Sequence, residues 1–423
     1  MTNLHKMALV RRFLRSRKGN IAIISALMMP AIVGFCGLAG ETAYWYYRHR
    51  DIQGAADLAA FGGAAVLRSG SNSLTAITAA SKADAVTNGW RQANGTIAVN
   101  WPPTSGSWQN QQSVQVILTE NQTRIFSRLF NGSAAVPISV RSTATVLAAG
   151  KACILGLNNT LPGTVTFWGN STTTLTNCNV MTNSSSPTGF MQGGSSTAWM
   201  PCAYSAGGEQ STAGLHLTSC GSVVQHHPRS VDPYKDVPAP TWSGCGSAPN
   251  TTAASNVTIT NPDGVRCFNA NTSFQGTVHF DPGVYVIDGA SNADLLFGAN
   301  SNISGSGVMF YLTNGANLDM VGTPHLALSA ATSGTYSGLL FFGDRTQANA
   351  TNKMLGDVAS AVTGAIYFPS QRVEYLGNFT GSGGCTQVIA DTIYYTGSGT
   401  FNSDCTAYGQ QAAIVYGSIS LVE

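Results

Sequence analysis

Charge is what this 423-residue chain has least of. Asp, Glu, Lys and Arg together make up 9% of it, against about 25% in ordinary soluble domains. Ser, Thr, Asn, Gly and Gln must therefore supply the polar surface. The few charges are also unevenly placed. Residues 1–40 carry six basic side chains (Lys6, Arg11, Arg12, Arg15, Arg17, Lys18) and no acid, whereas residues 151–423 carry seven Lys/Arg against fourteen Asp/Glu, a net of −7. A sparsely charged, mildly acidic body has no electrostatic footprint for nucleic acid, and none is expected as a partner.

Catalytic signatures are missing too. There is no P-loop, no Rossmann fingerprint, no Gly-x-Ser-x-Gly elbow and no His-Glu-x-x-His, so no cofactor is expected and the chain is not expected to be an enzyme. His226-His227, beside Arg229 and Asp232, is the most suggestive polar cluster, but adjacent histidines on a loop face different ways and read as surface residues. Asp281, Asp288, Asp294, Asp319 and Asp404 bring to mind Ca²⁺-dependent polysaccharide lyases. Each sits within two residues of a Gly, Pro or Asn, at a turn-like position where an Asp caps a turn through its own backbone. Cys-x-x-Cys is absent as well, which leaves no zinc pattern, and no metal is expected.

One long apolar run is present. Residues 21–40 are uncharged, enough to cross about 30 Å of hydrocarbon as a helix. Basic residues ending in Arg17 and Lys18 precede the run, and Glu41, Tyr44, Trp45 and Tyr47 follow it. The basic side belongs in the cytoplasm and the aromatics at the far headgroup layer. The expected location is thus a bacterial inner membrane, crossed once, with the body in the periplasm. A cleaved signal peptide is the competing reading, with a loose small-x-small site at Gly37-Leu38-Ala39, but the run exceeds the usual apolar core of a signal. A lipoprotein reading through Cys36 fails on bulky Phe35. The helical pattern continues to about residue 67, with a small-residue packing face of Ala55, Ala56, Ala59, Ala60, Gly63 and Ala64.

Four segments follow: a basic tail (1–19), the span and its continuing helix (20–68), a small α+β module (69–149) and a large β body (150–423). The module reads as a helix over 73–90, strands over 96–101, 113–120 and 136–147, and a short amphipathic stretch over 123–130. In the body, apolar pulses of four to six residues recur between Gly/Asn/Ser/Thr turns, as in 283–287, 308–312 and 388–395. Their β-branched and aromatic content suits strands. The loose repetition predicts a mainly β chain ending in a β-solenoid, a right-handed parallel β-helix, with a β-sandwich or jelly roll as the alternative. The Pro-rich stretch 225–248 is expected to loop out from this core. Eight cysteines lie in the body: Cys153, Cys178, Cys202, Cys220, Cys245, Cys267, Cys385 and Cys405. An even number outside the cytoplasm suggests disulfides, and nearest neighbours pair as 153–178, 202–220, 245–267 and 385–405 among the 105 arrangements that eight cysteines allow.

The string from Lys18-Gly19-Asn20 to Ala26-Leu27, with Pro30, Gly37-Leu38-Ala39 and Gln53-Gly54-Ala55-Ala56-Asp57-Leu58-Ala59-Ala60, resembles the TadG-like proteins of tight-adherence (Flp) pilus assembly. The resemblance covers about residues 16–68, and Phe126, Leu129-Phe130 and Pro137 look similar to a later family motif. It implies a membrane-anchored structural component of a pilus or envelope adhesion system, whose partners are pilus-assembly proteins or pseudopilins. Two departures limit it. Pseudopilins place an acid five positions after the processing glycine, where Ile24 stands, so no cleavage after Gly19 is expected. The metal-binding Asp-x-Ser-x-Ser of some members is absent, and residues 357–361 do not fit it. A surface adhesin or glycan-binding module is the alternative function, and a polysaccharide lyase a more distant one.

Overall fold

The computed structural model describes residues 20–69, 73–132, 134–348, 350–357, 359–376, 379–380, 385–402 and 408–423. They form two compact units. The first comprises the chain to Leu67, Ser71–Val146 and Ile419–Glu423; the second comprises Arg68–Gly70 and Leu147–Ser418.

In the first unit a single helix, α1 (Asn20–Arg68), runs through Pro30 unbroken. A second helix, α2 (Leu74–Thr87), starts at Ser73, whose hydroxyl accepts from the Ala76 N–H at 3.3 Å. That cap satisfies one of the donors a helix start leaves free. Three strands form an antiparallel meander: β1 (Gly95–Asn100), β2 (Ser113–Gln122) and β3 (Val136–Gly156), with Val99 opposite Val116 and Leu118 opposite Val140. The end of the chain returns here, since the Val422 N–H donates to the Thr143 carbonyl at 2.9 Å. The amphipathic stretch expected over 123–130 gives one helical turn, α3 (Arg128–Asn131), and is otherwise loop.

The second unit is a β-solenoid of about 10 turns. Its rungs pair parallel, as where Tyr285 lies opposite Phe310 and Phe310 opposite Phe341, which sets aside the antiparallel sandwich and jelly roll. Each apolar pulse of the sequence is one rung, and its inward side chains stack on those of the neighbouring turn. The rings of Phe280, Tyr285, Phe341 and Phe297 all lie within 6 Å of Phe310, at 5.0, 5.7, 5.5 and 5.9 Å between centroids. Between rungs the chain turns through Asn177, Asn271, Asn292, Asn300 and Asn314, all at positive φ, a conformation that Asn tolerates better than most side chains. Gly276 has φ 73° in addition, and a Cβ there would sit 2.6 Å from the carbonyl oxygens of Ser255 and Thr252.

The turns do not stack in chain order. The solenoid begins in mid-stack at the end of β3, where Ile154 lies beside Val180 and Met181 beside Tyr204, and this series ends at Val224. The chain then reappears at the opposite end, with Gly246 beside Phe268, and winds back through Val286, Tyr311 and Phe342 to Tyr367 and Ile389. The last turn closes on the first: Val388 pairs with Ile154 and Ala390 with Gly156. The arrangement is that of a continuous solenoid cut and rejoined.

The rejoining segment is the Pro-rich stretch expected to loop out. Instead it lies along the sheet from one end to the other. Ser230 is held by Asn183, whose side chain donates to its carbonyl at 2.9 Å and accepts its N–H at 2.8 Å. Tyr234 is fully buried; its hydroxyl accepts from the Gln411 N–H at 3.0 Å and its carbonyl accepts from Arg345 at 2.6 Å. The Tyr367 hydroxyl donates to Asp232 at 2.7 Å, and burial raises the Asp232 pKa above the usual carboxylate value. Farther on, the Trp242 ring packs on Tyr311 at 6.0 Å, and Cys245 is bonded to Cys267. A strap covers an apolar face because outward Tyr311, Phe342 and Tyr367 would otherwise meet water. Tyr234→Ala is expected to cost about 3–5 kcal/mol, the range for truncating a large buried ring, and Tyr234→Phe about 1 kcal/mol, the value of a typical hydrogen bond. Denaturant unfolding of the full chain measures both, and no change in either variant would show a strap that does not hold.

Candidate functional site

The site is built on α1, whose two halves meet different surroundings. Before Glu41 most of the helix is open, including Ile24, Leu27, Met28, Ile32 and Phe35, and the part around Gly37 and Leu38 is covered. The helix is long and apolar enough to cross a membrane. From Glu41 onward one face is buried, and that face is the small-residue stripe. Ala55, Ala56, Ala59, Ala60 and Ala64 have no more than 1% of their surface exposed. A Cβ on Gly63 would collide with the Ser81 hydroxyl and lie 2.9 Å from a Val114 methyl. The small-residue packing face read from the sequence thus lies against the chain's own α2 and β2. Close approach of backbones is what small residues permit, and here it is used internally.

Charged groups lie at the turning point between the halves. Glu41 is 4% exposed and its carboxylate accepts the backbone N–H groups of Ile125 and Ser127, at 2.6 and 2.7 Å. Four residues earlier, the place of a Gly37 Cβ is taken by the ring of Phe126. About two turns beyond Glu41, Arg48 is buried and donates to both carboxylate oxygens of Glu120 at 2.8 Å, besides pairing with Asp51. Glu120 has no exposed surface, and it also accepts from Gln122 at 2.7 Å and from the Arg91 N–H at 3.2 Å. Of the aromatic cluster, Tyr44 and Tyr47 are exposed, and Trp45 is half-buried with the Arg124 guanidinium 5.9 Å from its ring. Arg17 and Lys18 lie outside the described residues.

The same helix carries the chain's similarity to a known family. Residues 19–66 match the family described as "Putative Flp pilus-assembly TadE/G-like". The match covers nearly all of α1, its open apolar half and its packing face alike. No curated protein and no solved structure matches the chain.

The body's polar groups are dispersed. Cys153–Cys178, Cys202–Cys220 and Cys245–Cys267 are disulfides, and Cys385 is disulfide-bonded, while Cys405 lies outside the described residues. Each closed loop of this size stabilises by about 3 kcal/mol in the chain-entropy model. Cys245 and Cys267 stand near Asp288, but sulfurs joined to each other are not thiolate ligands. His226 is exposed at positive φ. His227 packs on the Tyr204 ring at 4.8 Å, and burial lowers its pKa. Asp288 and Asp294 bond the turn N–H groups of Ala290 and Asn317, at 3.0 and 2.8 Å. The Tyr285 hydroxyl donates to the carbonyl of Asp281. Asp404 lies outside the described residues. His325 and Ser360 both bond Asp357, at 3.1 and 2.8 Å, so the hydroxyl is tied to the acid rather than to the imidazole that would have to activate it. A polar cleft of about 500 Å³ is lined by Asn158, Leu161, Gln371, Arg372 and Asp391, and burial raises the Asp391 pKa.

The Glu41 latch was not legible in the sequence, because its partners are backbone N–H groups, which carry no residue signature. The Arg48–Glu120 pair had a weak signal: both are charges in a chain that avoids them. Arg48→Ala is expected to destabilise the protein by about 3–5 kcal/mol, since it strands a buried carboxylate. The double variant Arg48→Met/Glu120→Leu should recover most of that loss. A double-mutant cycle by denaturant unfolding checks this, and additive losses would contradict it.

Proposed function

We propose that the chain is a non-catalytic, single-pass inner-membrane component of a Tad/Flp-type pilus system, with its N-terminus in the cytoplasm and its body in the periplasm. The observation that carries the reading is that the pilus-assembly match falls on α1, the helix that is long and apolar enough to span a membrane. The six basic residues ahead of the span support the orientation, because Lys and Arg are retained on the cytoplasmic side. The disulfides of the body, Cys153–Cys178, Cys202–Cys220 and Cys245–Cys267 among them, support an oxidising compartment.

The role is structural. Partner helices would dock on the side of α1 that its own module leaves open. Tyr47, Leu58 and Phe61 are 63%, 49% and 43% exposed there, and Gly54 has nothing within 4 Å of the place of a Cβ. These positions recur at helical spacing along one stripe. A second reading, a glycan-binding module, is favoured by the cleft at Arg372 and Asp391.

Deletion of the gene is expected to abolish piliation, and a photo-crosslinker at Leu58 should capture a pilus-assembly protein in mild detergent. Intact pili in the deletion strain would overturn the proposal. Binding of the full chain on a glycan array, lost in Arg372→Ala, would favour the second reading.

A further inference from the structure

The loop that Glu41 fixes presents an unusual surface. Within six consecutive residues, Ile125, Leu129 and Phe130 are 64%, 82% and 76% exposed, and Phe126 is 40% exposed. Large apolar side chains are rarely clustered so openly in water. The loop cannot swing away to hide them, because Glu41 holds the N–H groups of Ile125 and Ser127 and Phe126 is seated on Gly37. Ile125 and Phe126 line one groove with Ile32, Val33 and Cys36 of α1, so the exposed loop is continuous with the apolar surface of the span.

We infer that residues 125–130 form a second membrane contact, in which Leu129, Phe130 and Ile125 insert into the lipid at the headgroup–acyl boundary beside the span. This rests on the anchor reading of α1. The uncharged run ends at Gly40, so Phe126 beside Gly37 lies roughly 5 Å inside that end at 1.5 Å per helical residue. Interfacial apolar groups are buried to about that depth. Arg128 is exposed in the same turn, where its long stem lets the guanidinium reach the headgroups while its neighbours enter the acyl layer. The effect is to hold the outer end of α1 at a fixed height in the membrane: a helix alone can slide or tilt, whereas a helix with a lateral apolar foot resists both.

Single-thiol labelling tests this on the full chain. Cys36 is the free cysteine among the described residues and is exposed on the span. It reports the span itself, and Cys36→Ser provides the background for Leu129→Cys and for Val86→Cys on α2. Each protein carries an environment-sensitive fluorophore and is reconstituted in phosphatidylethanolamine/phosphatidylglycerol vesicles. Lipid-borne nitroxide should quench the labels at Cys36 and Leu129, while aqueous iodide should quench only the label at Val86. Iodide quenching at Leu129 equal to that at Val86, with Cys36 still quenched from the lipid, overturns the inference and leaves the anchor standing. Shielding of Leu129 from both quenchers, as under a bound protein or a second copy, also overturns it. Loss of lipid quenching at Cys36 and Leu129 together overturns the anchor reading and the inference with it.

Discussion

A carboxylate at the end of a lipid-length apolar run is the constraint from which the first unit follows. An unpaired charge taken out of water is expensive, and Glu41 is nearly sealed. It can be so because two backbone N–H groups converge on it. Meeting that demand fixes the loop after β2 against α1. The same helix then turns from a mostly open apolar surface into a one-sided one, with Ala and Gly facing α2 and β2. Farther along, Arg48 and Glu120 repeat the solution with two side chains. Satisfying buried charges seldom adds net stability over an apolar pair, but separating one partner from the other is costly. The helix is thereby given one fixed rotation against its module.

In the second unit the constraint is topological. Turns of a solenoid bury their apolar interior only against neighbours, so each end of a stack is a liability. Here the chain enters at mid-stack, builds to one end, crosses the whole length, and builds back until Val388 meets Ile154. Both chain ends of the solenoid are thus placed in its middle. The crossing segment covers an outward apolar row that includes Tyr311, Phe342 and Tyr367, using Tyr234 and Trp242. Disulfides secure it near the far end, at Cys245–Cys267, and secure neighbouring turns at Cys153–Cys178.

Much of this was legible in the sequence where a local rule governs. The long apolar helix, α2 and the three meander strands follow from hydrophobic period and propensity, which act within a few residues. The solenoid class follows from recurring apolar pulses and Asn/Gly turns. What was not legible depends on partners far apart in the chain. The order of the turns is set by stacking between residues such as Ile154 and Val388, and nothing in either rung marks the other. The Pro-rich segment read as a loop because Pro228, Pro233, Pro238 and Pro240 exclude regular strands; that rule says nothing about whether an irregular segment lies on a core. The Ala/Gly stripe carries no mark of the surface it meets, and here the chain's own α2 and β2 lie against it. At the candidate site, the apolar half of α1 and its aromatic flank were visible, and the Glu41 latch was not.

The central claim is that α1 is retained whole, with span, latch and packing face acting as one element. The intact mass of the protein extracted from membranes of its native host tests this most directly. The account predicts a mass that includes residues 21–40, and recovery in the membrane fraction after alkaline washing. A mature protein beginning at Gly40, cut after Ala39 and released in soluble form, would contradict it.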